Sequence, residues 1–254
     1  MSDGGQRADP AAESPSLFAT TNWSLIRSAI AADTREAAAA QEKLCQTYWR
    51  PVYVHVRRHG YSEEDARDLT QGFFAQLLHE HTLAAADRTR ARFRCFLLGV
   101  LKRFLAHARA HAQAQKRGGG RTIVSWEQDV AESNVAAESA NGETPDRAFD
   151  RHWALALVQA AHERVRAEHA AAGRAGFEVL QPYITAEPDA PSYATTAARL
   201  GISEAAIKSA IYRLRQRYFA AVREEVARTV ADASELEDEL RYLRAILGEH
   251  GPAP

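Results

Sequence analysis

The sequence predicts an all-α protein built from two small helical domains joined by a flexible linker, with a helix-turn-helix in the second domain. Three observations favour this fold class. Ala, Arg, Leu and Glu dominate the 254 residues, whereas runs of Val, Ile and Thr that alternate at period two are nearly absent. Apolar residues instead recur at helical spacing along most of the chain. The hydrophobic content of 46% is sufficient for a packed core.

The predicted domain boundaries follow changes in composition. Gly, Ala, Pro and Ser dominate the first residues without periodicity, and a glycine triplet opens an acidic stretch that also contains Ser and Asn. We therefore expect a disordered tail over 1–16, a helical domain over 17–117, an acidic flexible linker over 118–144, a helix-turn-helix domain over 145–230, and a C-terminal helix and tail over 231–254.

The first domain is predicted to contain four helices. A short helix carries Trp23, and a longer one covers about 35–59, where Pro51 is expected to kink it or to split it into two pieces. Ser62 begins a Ser-Glu-Glu-Asp stretch that resembles a capping box and starts the third helix. The fourth helix, over about 91–115, is expected to bury its Phe, Leu and Val side chains and to point its basic residues outward.

The net charge of -1 hides a strong asymmetry along the chain. Residues 88–121 contain ten Lys or Arg and no Asp or Glu, while residues 127–150 contain seven acids and the single base Arg147. Solvated helices usually mix the two signs so that they pair four residues apart. The basic segment therefore favours a polyanionic partner such as DNA, with an ordinary solvated Arg-rich helix face as the alternative.

Residues 193–203 predict a short helix, a glycine turn and a serine that caps the next helix. That next helix has an apolar stripe at intervals of four, three and four, formed by Ile207, Ile211, Leu214 and Tyr218. Its opposite face is basic and polar, as a major-groove helix requires. The residues expected to contact DNA are Ser203, Lys208, Ser209, Tyr212, Arg213 and Arg215. An amphipathic hairpin whose solvated face is basic is the alternative.

Three segments together resemble a bacterial sigma factor of the extracytoplasmic-function type. Residues 65–74, Asp-Ala-Arg-Asp-Leu-Thr-Gln-Gly-Phe-Phe, are similar to the acidic-then-Leu-x-Gln-x-x-Phe signature of the family's second conserved region. Residues 93–117 resemble the aromatic and basic helices that melt and read the downstream promoter element, and residues 192–217 are similar to the fourth-region helix-turn-helix. The Arg-Gly-Gly-Gly-Arg loop is more like that of a planctomycete or verrucomicrobial branch.

The resemblance implies a protein that binds core RNA polymerase and directs promoter recognition and transcription initiation. Asp65, Asp68 and Gln71 would bind the polymerase, and an anti-sigma regulator is a further possible partner. The residues implied for the downstream element are Arg92, Arg94, Lys102, Arg103, Arg109, Lys116 and Arg117. Gly72 and Ala210 depart from the family pattern, at a polymerase contact and in the recognition helix respectively.

Other functions find little support in the sequence. The His-Glu-His at 79–81 lacks the His-Glu-x-x-His spacing of a zinc site, and the glycine triplet lacks the Gly-Lys-Ser/Thr ending of a phosphate-binding loop. We therefore expect no enzyme activity, no cofactor and no metal.

Cys45 and Cys95 are expected to be reduced thiols at helical core positions. No apolar run is long enough to cross a membrane, which predicts a cytoplasmic protein without membrane insertion.

Two further interpretations stay open. The chain is alternatively a helix-turn-helix regulator that never binds polymerase, with a first domain for dimerisation or ligand sensing, or an adaptor that binds only proteins. The segment 234–247 predicts an amphipathic helix with Leu236, Leu240, Leu243 and Leu247 on one stripe. Packing of this helix within the chain is favoured over pairing with itself or binding a regulator.

Overall fold

A computed structural model of the protein describes residues 35–79, 92–115, 143–173, 176–184, 190–230 and 232–248. Within these ranges every regular element is helical and no strand occurs, which confirms the all-α prediction. The predicted tail over 1–16, the helix at Trp23 and nearly all of the linker over 118–144 lie outside the described residues.

The helices are numbered here in chain order. They are α1 (Arg35–Arg57), α2 (Glu63–His79), α3 (Phe93–Gln115), α4 (Pro145–Ala171), α5 (Phe177–Leu180), α6 (Tyr193–Leu200), α7 (Glu204–Ala227) and α8 (Leu236–Gly248), with 3-10 turns at Gln181–Tyr183 and Ala233–Glu235.

Local sequence signals explain where α1 ends and α2 begins. Gly60 adopts a φ of 85°, a left-handed conformation that glycine takes without strain. The Ser62 hydroxyl then accepts a hydrogen bond from the Asp65 backbone N–H at 3.1 Å, as the capping signal predicts. Of the two effects expected of Pro51, a kink or a split, the split does not occur: α1 runs through this residue to Arg57. Pro51 and the five residues after it are buried, so packing stabilises the helix there.

The larger hydrophobic core joins α1, α2 and α3 to the first half of α4 and to α8. At its centre the rings of Tyr48 and Trp153 are stacked, with centroids 4.3 Å apart and planes 10° from parallel. Phe93 packs against both rings, at 5.5 Å and 5.7 Å. Phe149 and Leu157 of α4 lie in the same core. This core therefore crosses the predicted domain boundary at residue 145, and the two-domain arrangement is not confirmed.

The smaller core lies at the other end of α4. Ala161 and Val165 pack there against α5, α6 and α7, including Ile207 and Leu214 of the predicted apolar stripe. At 27 residues, α4 is about 40 Å long, so one helix supplies side chains to both cores. The sequence predicts a boundary at residue 145 because the composition changes in the linker. The hydrophobic surface of α4 nevertheless continues along the helix from one core to the other.

The described part of α8 packs within the chain, as the favoured interpretation of this segment predicts. Leu236, Leu240 and Leu243 are buried in the larger core, and Leu247 is partly buried against it. None of the helices described here is both long enough and apolar enough to cross a membrane.

The two cysteines are free thiols in different environments. Cys45 is partly buried on α1, and burial raises the pKa of its thiol to about 11. Cys95 is exposed on α3, so the prediction that it occupies a core position is wrong. Its neighbours Phe93 and Leu97 fill the core instead, because they lie on the opposite face of the helix.

His55 is buried where the end of α1 meets the start of α4. Its Nδ1 lies 3.1 Å from the Pro145 carbonyl oxygen, and its ring centroid is 4.5 Å from that of His59. Burial, and then the nearby His59, lower the pKa of His55 to about 4. The imidazole is therefore neutral in the folded protein at neutral pH.

We expect Trp153→Ala to lower the free energy of unfolding by about 3–5 kcal/mol, because it removes the ring stacked on Tyr48 and leaves a cavity. Leu155→Ala, two residues along the same helix at a side chain that is 41% exposed, should cost less than about 1 kcal/mol. Urea unfolding followed by circular dichroism measures both changes. Equal losses in the two variants would contradict the central place given to Trp153.

A pH titration of stability tests the burial of His55. The folded pKa is below the unfolded value, so unfolding takes up a proton, and stability should fall by about 3 kcal/mol as the pH drops from 6.5 to 4. His55→Gln should flatten this part of the profile, whereas substitution of the exposed His107 on α3 should not. A pKa near 6.5 for His55 in the wild-type protein, measured by NMR, would show that this side chain is not buried as a neutral imidazole.

Candidate nucleic-acid interface

The segment predicted as a helix-turn-helix consists of α6 and α7, separated by three residues. Ser192 caps α6 by accepting a hydrogen bond from the Thr195 backbone N–H at 3.1 Å. Gly201 ends α6 with a φ of 66°, in the left-handed region that favours glycine. Ser203 caps α7 by accepting from the Ala206 backbone N–H at 3.2 Å. The predicted turn chemistry is therefore present, and the Ser203 hydroxyl is engaged in it.

Tyr183 anchors this pair of helices to the 3-10 turn that precedes them. Its hydroxyl donates to the Pro191 carbonyl oxygen at 2.6 Å and lies 2.5 Å from the Thr196 hydroxyl of α6. Its own carbonyl oxygen accepts a hydrogen bond from Arg215 Nε of α7 at 2.7 Å. Arg215, predicted as a DNA contact, thus holds α7 in position. The sequence alone does not indicate this role, because Tyr183 lies outside the repeating pattern of either helix.

The face of α7 opposite the smaller core is exposed. Lys208 and Tyr212, and likewise Ser209 and Arg213, lie four residues apart and form two adjacent rows on the helix surface. The Tyr212 ring is 64% exposed. Lys208 Nζ lies 5.7 Å from the ring centroid of Tyr193, the first residue of α6. The surface combines two cations with hydroxyl groups, and it includes four of the six residues predicted for the upstream element.

Arg94 is buried, contrary to the prediction that the basic residues of this helix point outward. It is 8% exposed and lies between α3, α4 and α8. Its guanidinium donates to Asp150 at 2.9 Å and to Glu239 at 2.8 Å, and it lies 4.2 Å from the ring centroid of Tyr242. The cause is charge pairing: two carboxylates from distant parts of the chain converge on one cation.

The other basic residues predicted around α3 differ in their partners. Arg92 Nη1 donates to Glu239 at 2.7 Å, and Lys102 Nζ donates to Asp146 at 2.5 Å. Arg109 Nε donates to the hydroxyl of Tyr61 at 3.1 Å while remaining exposed.

Arg103 is exposed beside an aromatic recess. It borders a cavity of about 180 Å³ between α2 and α3, together with Phe73 and Phe104. Lys116 and Arg117 lie outside the described residues. Of the residues predicted for the downstream element, Lys102, Arg103 and Arg109 present exposed cationic groups on α3.

The acidic residues predicted to bind polymerase lie on one face of α2. Asp65, Asp68 and Gln71 are spaced three residues apart, which spreads them over about a third of the helix circumference. Asp65 and Asp68 are exposed, and Gln71 is partly exposed. The Asp65 carboxylate accepts a hydrogen bond from the Ser62 hydroxyl at 2.7 Å. The arrangement leaves an acidic surface available beside the start of α2.

The carboxylates that pair with Arg92 and Arg94 were not predicted from the sequence. Glu239 is completely buried, and Asp150 is 7% exposed. The Tyr242 hydroxyl donates to Asp150, and burial, followed by this bond, raises the pKa of Tyr242 to about 12. One signal was available: Glu239 interrupts the apolar stripe of α8 next to Leu240, and a charge on a buried stripe indicates an ion pair.

Comparison with known proteins adds no family to this description. No protein-family model, no curated protein and no solved structure matches the chain.

We expect Arg94→Met to lower the free energy of unfolding by about 3–5 kcal/mol, because it leaves the Glu239 carboxylate buried without its main partner. Arg103→Met removes the same charge from an exposed site on the same helix and should change stability by about 0.5 kcal/mol or less. Urea unfolding measures both variants. Stability unchanged by Arg94→Met would show that the ion cluster is not required for the fold.

Proposed function

We propose that this protein is a transcription factor of the sigma type, which binds promoter DNA and core RNA polymerase and directs the start of transcription. The observation that carries the proposal is the exposed, basic and polar face of α7, which directly follows a short capped turn. An α-helix fits into the major groove of B-form DNA, where base edges are accessible.

The chemistry of the α7 face suits recognition of duplex DNA. Lys208 and Arg213 supply cations for phosphates or for guanine edges, and Ser209 and Tyr212 supply hydroxyl groups that form hydrogen bonds. Arg215 and Ser203 contribute indirectly: Arg215 holds α7 in position, and Ser203 caps its first turn.

A second cationic surface on α3 supports contact with DNA at another position. Arg103 and Arg109 are exposed along this helix, and so is Lys102, which would have to exchange its partner Asp146 for a phosphate. The recess beside Arg103 is lined by the buried Phe73 and the partly exposed Phe104, and Phe104 is the ring on which we propose that an unpaired base stacks. Two weak sites in one molecule bind more tightly together than either does alone.

The acidic face of α2 is the surface we assign to polymerase. Its carboxylates at Asp65 and Asp68 are exposed and would be repelled by DNA, so a protein partner with basic groups suits them better. The resemblance of residues 65–74 to the polymerase-binding signature points to the same partner.

A regulator that binds DNA without polymerase is the second candidate. The observation that favours it is the continuity of α4 through both cores, which keeps the α3 and α7 surfaces in one packed body. A body of this kind needs no further protein to hold its two DNA-binding surfaces together.

Reconstitution with core RNA polymerase separates the two candidates. The sigma-type function predicts that the chain co-purifies with core enzyme and supports run-off transcription on genomic fragments. Asp68→Ala together with Gln71→Ala should abolish co-purification while duplex binding survives. Glu63→Gln, on the other side of α2, is the matched control. Duplex binding without any binding to core enzyme would establish the regulator instead.

Removing Lys208 and Arg213 together should weaken duplex DNA binding and make it less sensitive to salt. Each phosphate contact contributes about 0.9 to the slope of log affinity against log salt, so the slope should fall by about 2. Arg166→Ala with Arg241→Ala removes the same charge from exposed sites on α4 and α8 and should leave the slope unchanged. Fluorescence anisotropy with labelled DNA measures the slopes, and equal effects of the two pairs would exclude α7 as the interface.

A further inference from the structure

Arg92 and Arg94, at the start of α3, converge on a single carboxylate of α8. Glu239 accepts hydrogen bonds from Arg92 Nη1 at 2.7 Å and from Arg94 Nε at 2.8 Å, with Arg94 Nη2 at 3.4 Å. Guanidinium groups bind phosphate and carboxylate oxygens with the same planar set of donors. Two guanidiniums directed at one oxyanion therefore form an arrangement that also suits a phosphate group.

The position of Glu239 is costly for packing alone. It is completely buried within an apolar stripe that includes Leu236, Leu240 and Leu243. A buried ion pair usually stabilises a fold no better than well-packed apolar side chains of similar size do. Replacing the whole cluster, arginines included, by apolar residues would thus serve the docking of α8 at least as well, whereas removing Glu239 alone would leave Arg94 buried without one of its two carboxylates. Packing therefore does not explain why charged groups occupy this position.

Other groups from α4 and α8 complete the enclosure of Arg94. Asp150 accepts from Arg94 Nη1 at 2.9 Å and from the Tyr242 hydroxyl, and the Tyr242 ring covers the guanidinium. Glu239 and Tyr242 both belong to α8, so departure of this one helix removes one of the two carboxylates and the covering ring together. Asp150 stays on α4 as a partial counter-charge.

We propose that Arg92 and Arg94 form a phosphate-binding site for nucleic acid and that α8 closes this site, with Glu239 in the place of a phosphate. The inference rests on the proposed DNA-binding function. When α8 is docked, the two arginines are withheld, and the exposed cations of α3 begin at Lys102. When α8 leaves, the cationic surface extends to the start of the helix. The C-terminal helix thereby limits the affinity of the protein for DNA.

Thermodynamic linkage gives a test on the unmodified full-length chain. If docked α8 competes with nucleic acid for Arg92 and Arg94, bound nucleic acid must weaken the docking of α8 by the same factor. Hydrogen–deuterium exchange is measured without DNA and with saturating mixed-sequence DNA, duplex and single-stranded, at low salt. We expect faster exchange in α8 with DNA and unchanged exchange in α1. Unchanged or slower exchange in α8 at saturation would overturn the proposal.

A pair of matched variants tests the same site from the protein side. Glu239→Gln and Glu237→Gln each remove one negative charge from α8, but the Glu237 side chain is 59% exposed and pairs with Arg223. We expect Glu239→Gln to bind DNA at least fivefold more tightly at low salt, with a salt slope steeper by up to about 2 as two arginines become available. Glu237→Gln should stay within twofold of wild type. Equal slopes and affinities in both variants would overturn the proposal.

The readouts keep this inference separate from the proposed function. If no form of the chain binds DNA with a salt-dependent affinity, the proposed function fails and the closed site fails with it. If wild type binds DNA but α8 exchange does not respond, only the closed site fails. Circular dichroism verifies that Glu239→Gln is folded, and the wild-type exchange experiment does not depend on that variant.

Discussion

The continuity of α4 through both hydrophobic cores is the constraint on which the rest of the structure depends. Its first half places Trp153 on Tyr48 in the larger core, and its second half places Val165 in the smaller core. Because an α-helix is stiff over this length, the distance between the two cores is set by the helix itself. The surfaces of α3 and α7 can separate only if one of these cores loses its packing.

Ion pairs also connect α4 to the other helices. The acids that surround the start of α4 pair with bases from α1 and α3: Glu143 with Arg58 at 3.2 Å, and Asp146 with Lys102 at 2.5 Å. Among the described residues, part of the charge imbalance along the sequence is thus compensated by contacts between helices. A basic segment without acids of its own has two physical solutions, a polyanion or acids from elsewhere in the chain, and here part of the segment takes the second.

The sequence predicts the helices well because their signals are local. Capping serines, left-handed glycines and the apolar stripe of α7 each depend on residues a few positions apart, and Ser62, Gly60 and Ile207 behave as expected. The candidate interface is only partly predictable. The exposed face of α7 follows from periodicity, whereas the burial of Arg94 depends on Glu239, 145 residues further along the chain. Pairing over such a distance leaves no periodic pattern to read.

The unequal environments of the two cysteines give the molecule a built-in marker. Cys95 is exposed on α3 and directly follows Arg94, while Cys45 is partly buried with a raised thiol pKa. A thiol-directed fluorophore or cross-linker should therefore attach at one place in the unmodified chain, beside the junction of α3 and α8. Movement of the C-terminal helix, and the approach of any partner to this junction, can be followed there without introducing a single substitution.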